Sequence, residues 1–424
     1  MINKAGSTLF QKHRNSFVLS NALSYHYEDV IEIPKEYSGY SILSENGEII
    51  HTQEINGRLY CKVSLPPISF TTFSKGEKLK KSANNASGYE LENELIKYTF
   101  SNDGTLISAL DKETNNGLLD GPGNVLSLYE DRPLNWDAWD IDFYYKESLV
   151  ETAKAVKIKK VVSGPVLSSL EFHYTVGNSI LKQKITLGNQ SKRLDFDTYV
   201  EWKEKHKMLR VHFPTNITSE QASFDIQYGY VKRNTHKNTS WDRAKFEVVG
   251  HKYADLSNND NGIAILNDCK YGYSVLDNVI DLNLLRSPNN PDADADLGEH
   301  SFTYSFYPHQ NDLIRSDVIQ ESTILNHPPL LFNGVKNDTS ESPVNFDGKG
   351  IEITAIKKSE QSNEIIFRAV ETLGKTSKGK IYFNGKVVET NLMERRNLKP
   401  AKNVNDSLAI ELKPFEIKTF RCSL

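Results

Sequence analysis

Alternation of apolar and polar residues, the pattern of half-buried β-strands, recurs along most of this chain. Ile180–Leu187 alternates in this way, and Glu94–Phe100 and Thr105–Leu110 flank the turn sequence Asn-Asp-Gly. A tight turn between two such runs predicts a β-hairpin, and Asn384-Gly385, between two further short runs, predicts another. The 3.6-residue periodicity of amphipathic helices is scarce, so the pattern predicts a mostly β-sheet protein.

Many short strands with turn signals at close intervals favour antiparallel β-sandwiches. The last residues, from Leu408 to Leu424, contain two apolar runs around Pro414, which predicts two strands with a break between them. Two polar stretches rich in Gly, Asn, Ser or Lys predict linkers. The resulting organisation is an N-terminal tail (1–15), a small β domain (16–73), a linker (74–88), a central β domain (89–326), a second linker (327–349) and a C-terminal β-sandwich domain (350–424).

The balance of charge argues against two classes of partner. The chain has 51 basic and 55 acidic residues, a formal net charge of −4, so it has no strong positive field for nucleic acid or an anionic membrane. Its three cysteines, Cys61, Cys269 and Cys422, are widely spaced and suggest neither a disulfide framework nor a zinc knuckle. The polar N-terminus predicts no secretory signal, and we expect a cytoplasmic protein.

The segment richest in aromatic and acidic residues is Tyr129–Tyr145 (YEDRPLNWDAWDIDFYY). If Ala138–Tyr144 forms a strand, Asp140 and Asp142 share one face, with Cα atoms about 6–7 Å apart. Glycosidases use paired carboxylates, so these two are a candidate catalytic pair. Two alternatives stay open: a polar surface with Trp139 in the core, and a segment that contacts sugar without catalysing a reaction.

A second acidic segment, Asp292–His300 (DADADLGEH), resembles a calcium-binding loop in the spacing of its aspartates. It has Leu297 in place of the required Gly and Thr303 in place of the bidentate Glu, so we interpret it as an acidic surface loop. Arg286 precedes this loop and is a candidate ion-pair partner for one of its aspartates. The mixed basic and aromatic segment Lys232–Glu247 lacks the wide basic face of a nucleic-acid site, and we interpret it as a loop that enters a strand.

Six segments, in the same order, resemble the C-terminal half of α-mannosidases of glycoside hydrolase family 38, especially the cytosolic-type branch. The resemblance spans nearly the whole chain and is far more specific than any single motif. The segments are FVLSNALSYHYEDVIEIP (Phe17–Pro34), YEDRPLNWDAWDID (Tyr129–Asp142), RNTHKNTSWDRAKFE (Arg233–Glu247), NDNGIAILNDCKYGY (Asn259–Tyr273), LLRSPNNPDADADLGEHSFTYSFYPH (Leu284–His309) and PFEIKTF (Pro414–Phe420).

The resemblance implies an all-β fold: a large central antiparallel supersandwich of the galactose-mutarotase type, flanked by two small β-sandwich units. It also implies retaining hydrolysis of α-mannosides by an aspartate nucleophile with a bound zinc ion. In that family the nucleophile, the acid/base and the zinc ligands lie in an α/β domain that precedes the β units, and no segment here corresponds to it. We therefore expect no catalytic residues and no cofactor in this chain, with zinc only in the missing catalytic domain.

The resemblance and the aromatic segment together suggest the scaffolding and sugar-binding part of an α-mannosidase, inactive alone. We expect the segment Tyr129–Tyr145 and the loop Arg286–His300 to meet at one edge of the central sheet. The candidate residues of the substrate cleft are Trp136, Asp137, Trp139, Asp140, Arg286 and His300. The expected partners are α-mannosides and the catalytic and helical domains, in the same or a separate polypeptide, and self-association into a homo-oligomer is a further expectation.

Two other functions stay open. One is a stand-alone lectin-like module that binds sugar. The other is an aldose epimerase on the supersandwich, a reaction that needs an acid and a base across the anomeric carbon. The residues that could supply these groups are His173, His212, Glu299 and His300, although nothing in their spacing pairs them.

Overall fold

Antiparallel β-strands are the dominant secondary structure of the protein. The computed structural model describes residues 8–78, 84–85, 88–338 and 345–423. The chain divides into two compact units. Unit 1 comprises Met1–Lys81, Gln227–Tyr230 and His327–Leu424, and unit 2 comprises Ser82–Ile226 and Val231–Asn326. The predicted all-β fold, with a large central sandwich and smaller β-sandwich parts, is confirmed.

The N-terminal part of unit 1 consists of short strands with one buried face. Arg58–Leu65 is typical, because every second side chain from Leu59 onward is buried. A 3-10 helix, Lys35–Tyr37, lies between the second and third strands. The strands are β1 (Gln11–Asn21), β2 (Tyr27–Ile33), β3 (Tyr40–Leu43), β4 (Ile49–Ile50), β5 (Thr52–Ile55), β6 (Arg58–Leu65) and β7 (Ser69–Lys78).

Unit 2 contains the 13-residue strand Gly298–Gln310 and the helices Ser240–Ala244 and Val318–Asn326. A 3-10 helix spans Phe143–Glu147. The strands are β8 (Asn84–Asn85), β9 (Glu90–Glu92), β10 (Ile96–Phe100), β11 (Leu106–Asp111), β12 (Asn116–Gly117), β13 (Val125–Glu130), β14 (Leu149–Thr152), β15 (Lys154–Ser163), β16 (Leu167–Val176), β17 (Ser179–Gly188), β18 (Leu194–Trp202), β19 (Lys207–Pro214), β20 (Gln221–Ile226), β21 (Gly229–Asn234, the first two residues of which are assigned to unit 1), β22 (Val248–Val249), β23 (Tyr253–Ser257), β24 (Asn261–Asn267), β25 (Gly272–Leu276), β26 (Val279–Arg286) and β27 (Gly298–Gln310).

A ten-stranded and a six-stranded sheet share one apolar core in unit 2. Their strand orders are β21-β20-β23-β24-β27-β18-β17-β16-β15-β8 and β14-β13-β19-β26-β25-β22. A further sheet, β12-β11-β10-β9, contains the hairpin β10–β11 that the sequence predicts. The predicted strand Ile180–Leu187 lies within β17, and its alternate residues are buried. Phe213 of β19 and Phe306 of β27 meet in the core with ring centroids 5.5 Å apart.

A neutral polar network lies inside this core. Gln183 accepts a hydrogen bond from the side-chain amide of Asn124 (2.8 Å) and donates to Tyr304 Oη (2.8 Å) and Thr198 Oγ1 (3.1 Å). Tyr304 Oη donates to Asn124 Oδ1 (2.6 Å), which closes a ring of hydrogen bonds. Because its buried polar side chains are hydrogen-bonded to one another, such a network is compatible with a stable core. We refer to these four side chains as the core ring.

The C-terminal part of unit 1 is a β-sandwich. Its two facing sheets have the orders β29-β32-β35 and β30-β31-β36-β33-β34, and β28 extends the sheet β28-β1-β7-β3-β4. The strands are β28 (Leu330–Lys336), β29 (Asn345–Asp347), β30 (Ile351–Lys358), β31 (Ile365–Glu371), β32 (Ser377–Tyr382), β33 (Gly385–Thr390), β34 (Lys402–Val404), β35 (Ser407–Leu412) and β36 (Ile417–Ser423).

The hairpin predicted at Asn384-Gly385 is wrong. The strands on either side, β32 and β33, belong to different sheets, so the chain crosses the sandwich at this turn. Ile381 and Val387 are both buried in the same apolar core, which each strand reaches from its own side. The two strands predicted around Pro414 are confirmed as β35 and β36.

The predicted linkers lie partly outside the described residues, which exclude 79–83, 86–87 and 339–344. Their described residues include the end of β7 and the whole of β28. The predicted domain boundaries stay a prediction. Among the described residues, no helix combines the length and apolar character needed to cross a membrane.

Candidate functional site

The aromatic and acidic segment forms a loop between β13 and β14, on the six-stranded sheet of unit 2. The strand considered for Ala138–Tyr144 is wrong. The backbone turns instead, since the amides of Trp139 and Asp140 both donate to the carbonyl of Trp136 (2.7 and 2.9 Å), and a 3-10 helix follows. Asp142 accepts hydrogen bonds from the Leu134 amide (2.8 Å) and from Tyr144 Oη (2.6 Å), so it holds the loop rather than facing Asp140 across a strand. We call residues 131–147 the tryptophan loop.

Arg286, at the end of β26, anchors the start of the tryptophan loop. Its guanidinium donates to both carboxylate oxygens of Asp131 and to the backbone carbonyls of Asp137 (3.0 Å), Ala138 (3.4 Å) and Asp140. The Asp131 side chain is 2% exposed, and burial raises its pKa although the charge of Arg286 opposes this effect. The sequence analysis considered an ion pair between Arg286 and an aspartate of the loop Asp292–His300. This is wrong, because Arg286 pairs with Asp131.

Asp137 joins the tryptophan loop to the chain that follows Arg286. Its Oδ2 accepts hydrogen bonds from the amides of Asn289 (2.6 Å) and Asn290 (3.0 Å), and its Oδ1 lies 3.5 Å from His206 Nδ1. The structure therefore brings together the two segments expected to meet. His300 is not part of this junction: its Nε2 lies 2.7 Å from the carbonyl of Asp296, and in the described ranges no hydrogen bond or ion pair links it to the other candidate residues.

Large aromatic side chains of this region point into solvent. Trp136 is 75% exposed, Trp139 is 87% exposed and Phe143 is 65% exposed, while Trp241 in the helix Ser240–Ala244 is 79% exposed. The alternative that placed Trp139 in the core is therefore wrong. Phe143 also contacts Phe246, with ring centroids 6.4 Å apart, so the tryptophan loop touches the segment that carries Trp241. Contiguous exposed apolar surface is often functional, whereas single exposed apolar side chains are normal.

A charged cluster that the sequence did not predict lies under the tryptophan loop. Arg210 of β19 is fully buried, and its Nε donates to Asp281 Oδ1 at 2.6 Å. Its Nη2 lies 3.0 Å from Glu247 Oε1, which also accepts a hydrogen bond from Tyr145 Oη (2.8 Å). Burial raises the pKa of Glu247, although Arg210 opposes this effect. The signal in the sequence is a charged residue at an internal position of each of two strands, Arg210 in β19 and Asp281 in β26.

The three histidines considered for an aldose epimerase lie on three different strands. His173 in β16 and His300 in β27 belong to the ten-stranded sheet, whereas His212 in β19 belongs to the six-stranded sheet. His173 pairs with Glu171 at 2.5 Å, and burial lowers the pKa of His212. Glu299 and His300 are adjacent in β27, where successive side chains of a strand point to opposite faces of the sheet, so these two do not form a facing pair. In the part of the chain that the structure describes, no hydrogen bond joins any two of the three histidines.

The family resemblance implies zinc, which the described residues do not fit. No group of three or more His, Cys, Asp or Glu side chains within those residues is arranged to hold a metal ion. The acidic loop before His300 includes exposed aspartates, and Lys205 pairs with Asp294 at 3.2 Å. We therefore derive no chemical step through a metal for this chain.

Comparison with known proteins supports the resemblance of this chain to α-mannosidases. Residues 91–294 match the family model "Glycosyl hydrolases family 38 C-terminal domain", and residues 350–420 match "Glycosyl hydrolases family 38 C-terminal beta sandwich domain". Alpha-mannosidase G of Dictyostelium discoideum is 37% identical over 450 residues, which cover 96% of this chain and 40% of that protein. Alpha-mannosidase 2C1 of Mus musculus is 36% identical over 308 residues, which cover 70% of this chain and 30% of that protein.

The fold is also that of a solved α-mannosidase structure. The crystal structure of an alpha-mannosidase from Enterococcus faecalis V583 superposes with a TM-score of 0.74 over 98% of this chain and 57% of that chain, at 18% sequence identity. The chain thus spans less than half the length of the two curated relatives described above and is similar to their C-terminal region. The family models and these relatives together show that the chain belongs to glycosyl hydrolase family 38, whose C-terminal β-domains it contains.

Proposed function

We propose that this chain is the sugar-binding and scaffolding β-region of an α-mannosidase. In this proposal the tryptophan loop forms one wall of the cleft that binds an α-mannoside. The observation that carries the proposal is the loop itself: its backbone is fixed by Arg286 and Asp137, yet Trp136 and Trp139 remain exposed.

The chemistry of the loop supports contact with sugar. An aromatic ring offers an apolar face to the C–H surface of a pyranose, and carboxylates accept hydrogen bonds from hydroxyl groups. The exposed carboxylate of Asp140 lies next to Trp139 in the chain, so both types of contact are available at one place. Asp137 and Arg286 act differently in this proposal, because their side chains are occupied in holding the loop in position.

The catalytic groups of the reaction come from a separate domain in this proposal. Support comes from the region that is matched, since both family models describe C-terminal domains and the relative from Dictyostelium discoideum is covered over only 40% of its length. That domain belongs either to a longer form of the same polypeptide or to a second polypeptide. We expect it to supply the nucleophile, the acid/base and any zinc, and to contact the exposed aromatic side chains of unit 2.

The direct test is an assay of the purified 424-residue chain with an aryl α-mannoside, with and without added zinc. The expected result is no turnover above the buffer blank. The same assay is then repeated after addition of a separately produced α/β domain of a family relative, where we expect activity to depend on the chain and to fall when Trp139 is replaced by Ala. Turnover by the chain alone that is abolished by Asp140→Asn or Asp142→Asn would instead identify a catalytic pair within it.

A stand-alone lectin-like module is the second candidate, because the same exposed tryptophans would serve it. The two functions differ in what the chain does by itself. Titration of the chain with mannose and mannobiose, followed by tryptophan fluorescence, separates them. Saturable binding without any effect of the α/β domain favours the lectin-like module, whereas binding or activity that requires both partners favours the α-mannosidase region.

A further inference from the structure

Two segments that are far apart in the sequence meet on one buried arginine. The first is the end of the tryptophan loop, the 3-10 helix Phe143–Glu147, and the second is the chain that follows the helix Ser240–Ala244 and ends at Glu247. Arg210 lies beneath both, with no exposed side-chain surface. Its guanidinium carbon is 5.2 Å from the ring centroid of Tyr145, a distance typical of a cation–π contact.

Glu247 is the junction between these segments. One oxygen, Oε1, accepts the hydrogen bond of Tyr145 Oη at 2.8 Å and lies 3.0 Å from Arg210 Nη2. Arg210 in turn donates to Asp281 of β26 at 2.6 Å, which fixes the guanidinium to the sheet. A loss of the Tyr145 hydrogen bond would therefore release the tryptophan loop from Glu247 without disturbing the pair of Arg210 with Asp281.

The cluster is not an arrangement that maximises stability. Burial raises the pKa of Glu247, and within the described residues the buried atoms Arg210 Nη2 and Glu247 Oε2 have no hydrogen-bond partner, so the contact of Arg210 Nη2 with Glu247 Oε1 is an ion pair without hydrogen-bond geometry. Well-packed apolar residues often replace buried ion pairs with no loss of stability. In some proteins a buried charge fixes a geometry rather than adding stability, and this is the role that we consider for Arg210 and Glu247.

We infer that Tyr145, Arg210 and Glu247 are positioning residues that couple the tryptophan loop to the Trp241 segment, so that the two aromatic groups form one rigid surface. The inference rests on the proposed function, in which this surface contacts the mannoside and the catalytic domain. None of the three residues needs to touch the sugar. Their role is to keep Trp139 and Phe143 in register with Trp241, which no backbone pairing between the two segments does in the described residues.

The test is hydrogen exchange of the full chain, measured by mass spectrometry on the variant Tyr145→Phe. This change removes one hydroxyl and keeps the ring over Arg210, so the chain should fold. We expect amide exchange to increase about fivefold in the residues 240–249, the effect of losing a single net hydrogen bond. The reciprocal variant Glu247→Gln removes the charge at the junction, and we expect faster exchange in the residues 143–149, on the other segment.

The matched control is Tyr144→Phe. The hydroxyl of Tyr144 donates to Asp142 inside its own loop, so its loss should affect the tryptophan loop and leave the residues 240–249 unchanged. The peptide that covers β17 is the reference for global stability. Unchanged exchange at 240–249 in Tyr145→Phe would overturn the inference, and so would an equal increase at β17, because it would reflect general destabilisation.

These outcomes are separate from those that test the proposed function. If coupling is observed but Trp139→Ala has no effect on the activity of the reconstituted enzyme, the coupling stands and the proposed sugar contact fails. If Trp139→Ala lowers activity but Tyr145→Phe leaves the Trp241 segment unchanged, the proposed function stands and the coupling is wrong.

Discussion

Two polar networks in unit 2 differ in charge and in what they hold. The core ring around Gln183 is neutral and buried between the sheets, and each of its hydrogen bonds joins one strand or turn of the sandwich to another. The network around Arg286 and Arg210 is charged, lies on the outer side of the six-stranded sheet and holds a loop whose aromatic side chains face solvent. The first arrangement stabilises the fold, whereas the second fixes the position of a surface loop and contributes less to stability.

The networks also differ in how well their polar atoms are satisfied. Every side chain of the core ring takes part in at least one hydrogen bond within it. The outer network leaves buried atoms of Arg210 and Glu247 without hydrogen-bond partners in the described part of the chain, and burial raises the pKa of both Asp131 and Glu247. Sites that are poorly optimised for stability are often sites under another constraint, here the geometry of the tryptophan loop.

The largest expected effect comes from breaking the charged network at Arg286. The variant Arg286→Met leaves the buried carboxylate of Asp131 without its cation, and we expect a loss of about 3–5 kcal/mol in the free energy of unfolding. Denaturant unfolding followed by far-UV circular dichroism measures it. The control is Arg132→Met in the same loop, because Arg132 is exposed and pairs with the partly exposed Glu130, and we expect its effect to stay within about 0.5 kcal/mol.

A double variant sharpens this prediction. Adding Asp131→Leu to Arg286→Met removes the unpaired carboxylate, so we expect the double variant to regain most of the lost stability. The tryptophan loop should nevertheless remain mobile, since its carbonyls still lack the guanidinium. A double variant as unstable as Arg286→Met would show that the loss came from packing rather than from the buried charge.

The neutral network should respond less strongly to a single change. The variant Gln183→Leu removes three hydrogen bonds, while Asn124 and Tyr304 keep the hydrogen bond to each other, and the expected cost is about 1–3 kcal/mol. The control is Lys182→Leu, the next residue of the same strand, which lies on the exposed face. Hydrogen exchange in the tryptophan loop should not change in Gln183→Leu, and a selective increase there would contradict the separation of the two networks.

A buried charged pair in the ten-stranded sheet predicts a dependence on pH that the core ring lacks. His309 Nε2 lies 2.8 Å from Asp255 Oδ1, the Tyr307 ring stacks beside it and Asp317 adds a second negative charge. Burial lowers the pKa of His309, but the charge and hydrogen bond of Asp255 outweigh burial, so the net pKa lies above its ordinary value of 6.5. The imidazole of His309 therefore binds its proton more tightly in the folded than in the unfolded chain.

The sign of the effect follows from this raised pKa. The stabilisation is fully present below pH 6.5, the unfolded value, and is lost as the pH rises through the folded pKa of His309. We expect the difference in unfolding free energy between the protein and His309→Gln to shrink as the pH is raised from 6 to 9. The cost of Gln183→Leu should stay constant over the same range, and a difference for His309→Gln that grows with pH would contradict the assignment.

The strands of both units could be predicted from the sequence more readily than the loops. Alternation in Ile180–Leu187 and the turn after Phe100 depend on neighbouring residues, and both predictions are confirmed. The conformation of the tryptophan loop depends on Arg286, whose contact with Asp131 joins residues 155 positions apart. The family resemblance led to the expectation that these two segments meet, but it did not show that Arg286 is used to hold the loop.

Two predictions from the sequence are wrong for the same physical reason. The strand considered at Ala138–Tyr144 and the hairpin at Asn384-Gly385 both fit local pattern rules, but distant partners decide the outcome. Arg286 folds the first segment into a turn, and the shared core of the C-terminal sandwich draws Ile381 and Val387 from opposite sheets. Arg210 was missed for a related reason, because a charged residue in a strand sequence that mixes apolar and polar positions (KMLRVHFP) has no pattern that marks it as buried.

The smallest expected effect on stability comes from the most exposed aromatic side chain, and it provides the sharpest contrast between stability and function. Trp139 is 87% exposed, so Trp139→Ala removes little buried surface and should change the free energy of unfolding by less than about 0.5 kcal/mol. Trp202, with 1% exposure in the core of unit 2, is the matched control: Trp202→Ala should cost about 3–5 kcal/mol. If the tryptophan loop exists to present its side chains, Trp139→Ala should lower the activity of the reconstituted α-mannosidase at unchanged stability. A variant that loses stability to the same extent as Trp202→Ala would show that Trp139 is part of the fold, and a fully active, fully stable variant would remove the reason for the charged network to hold this loop.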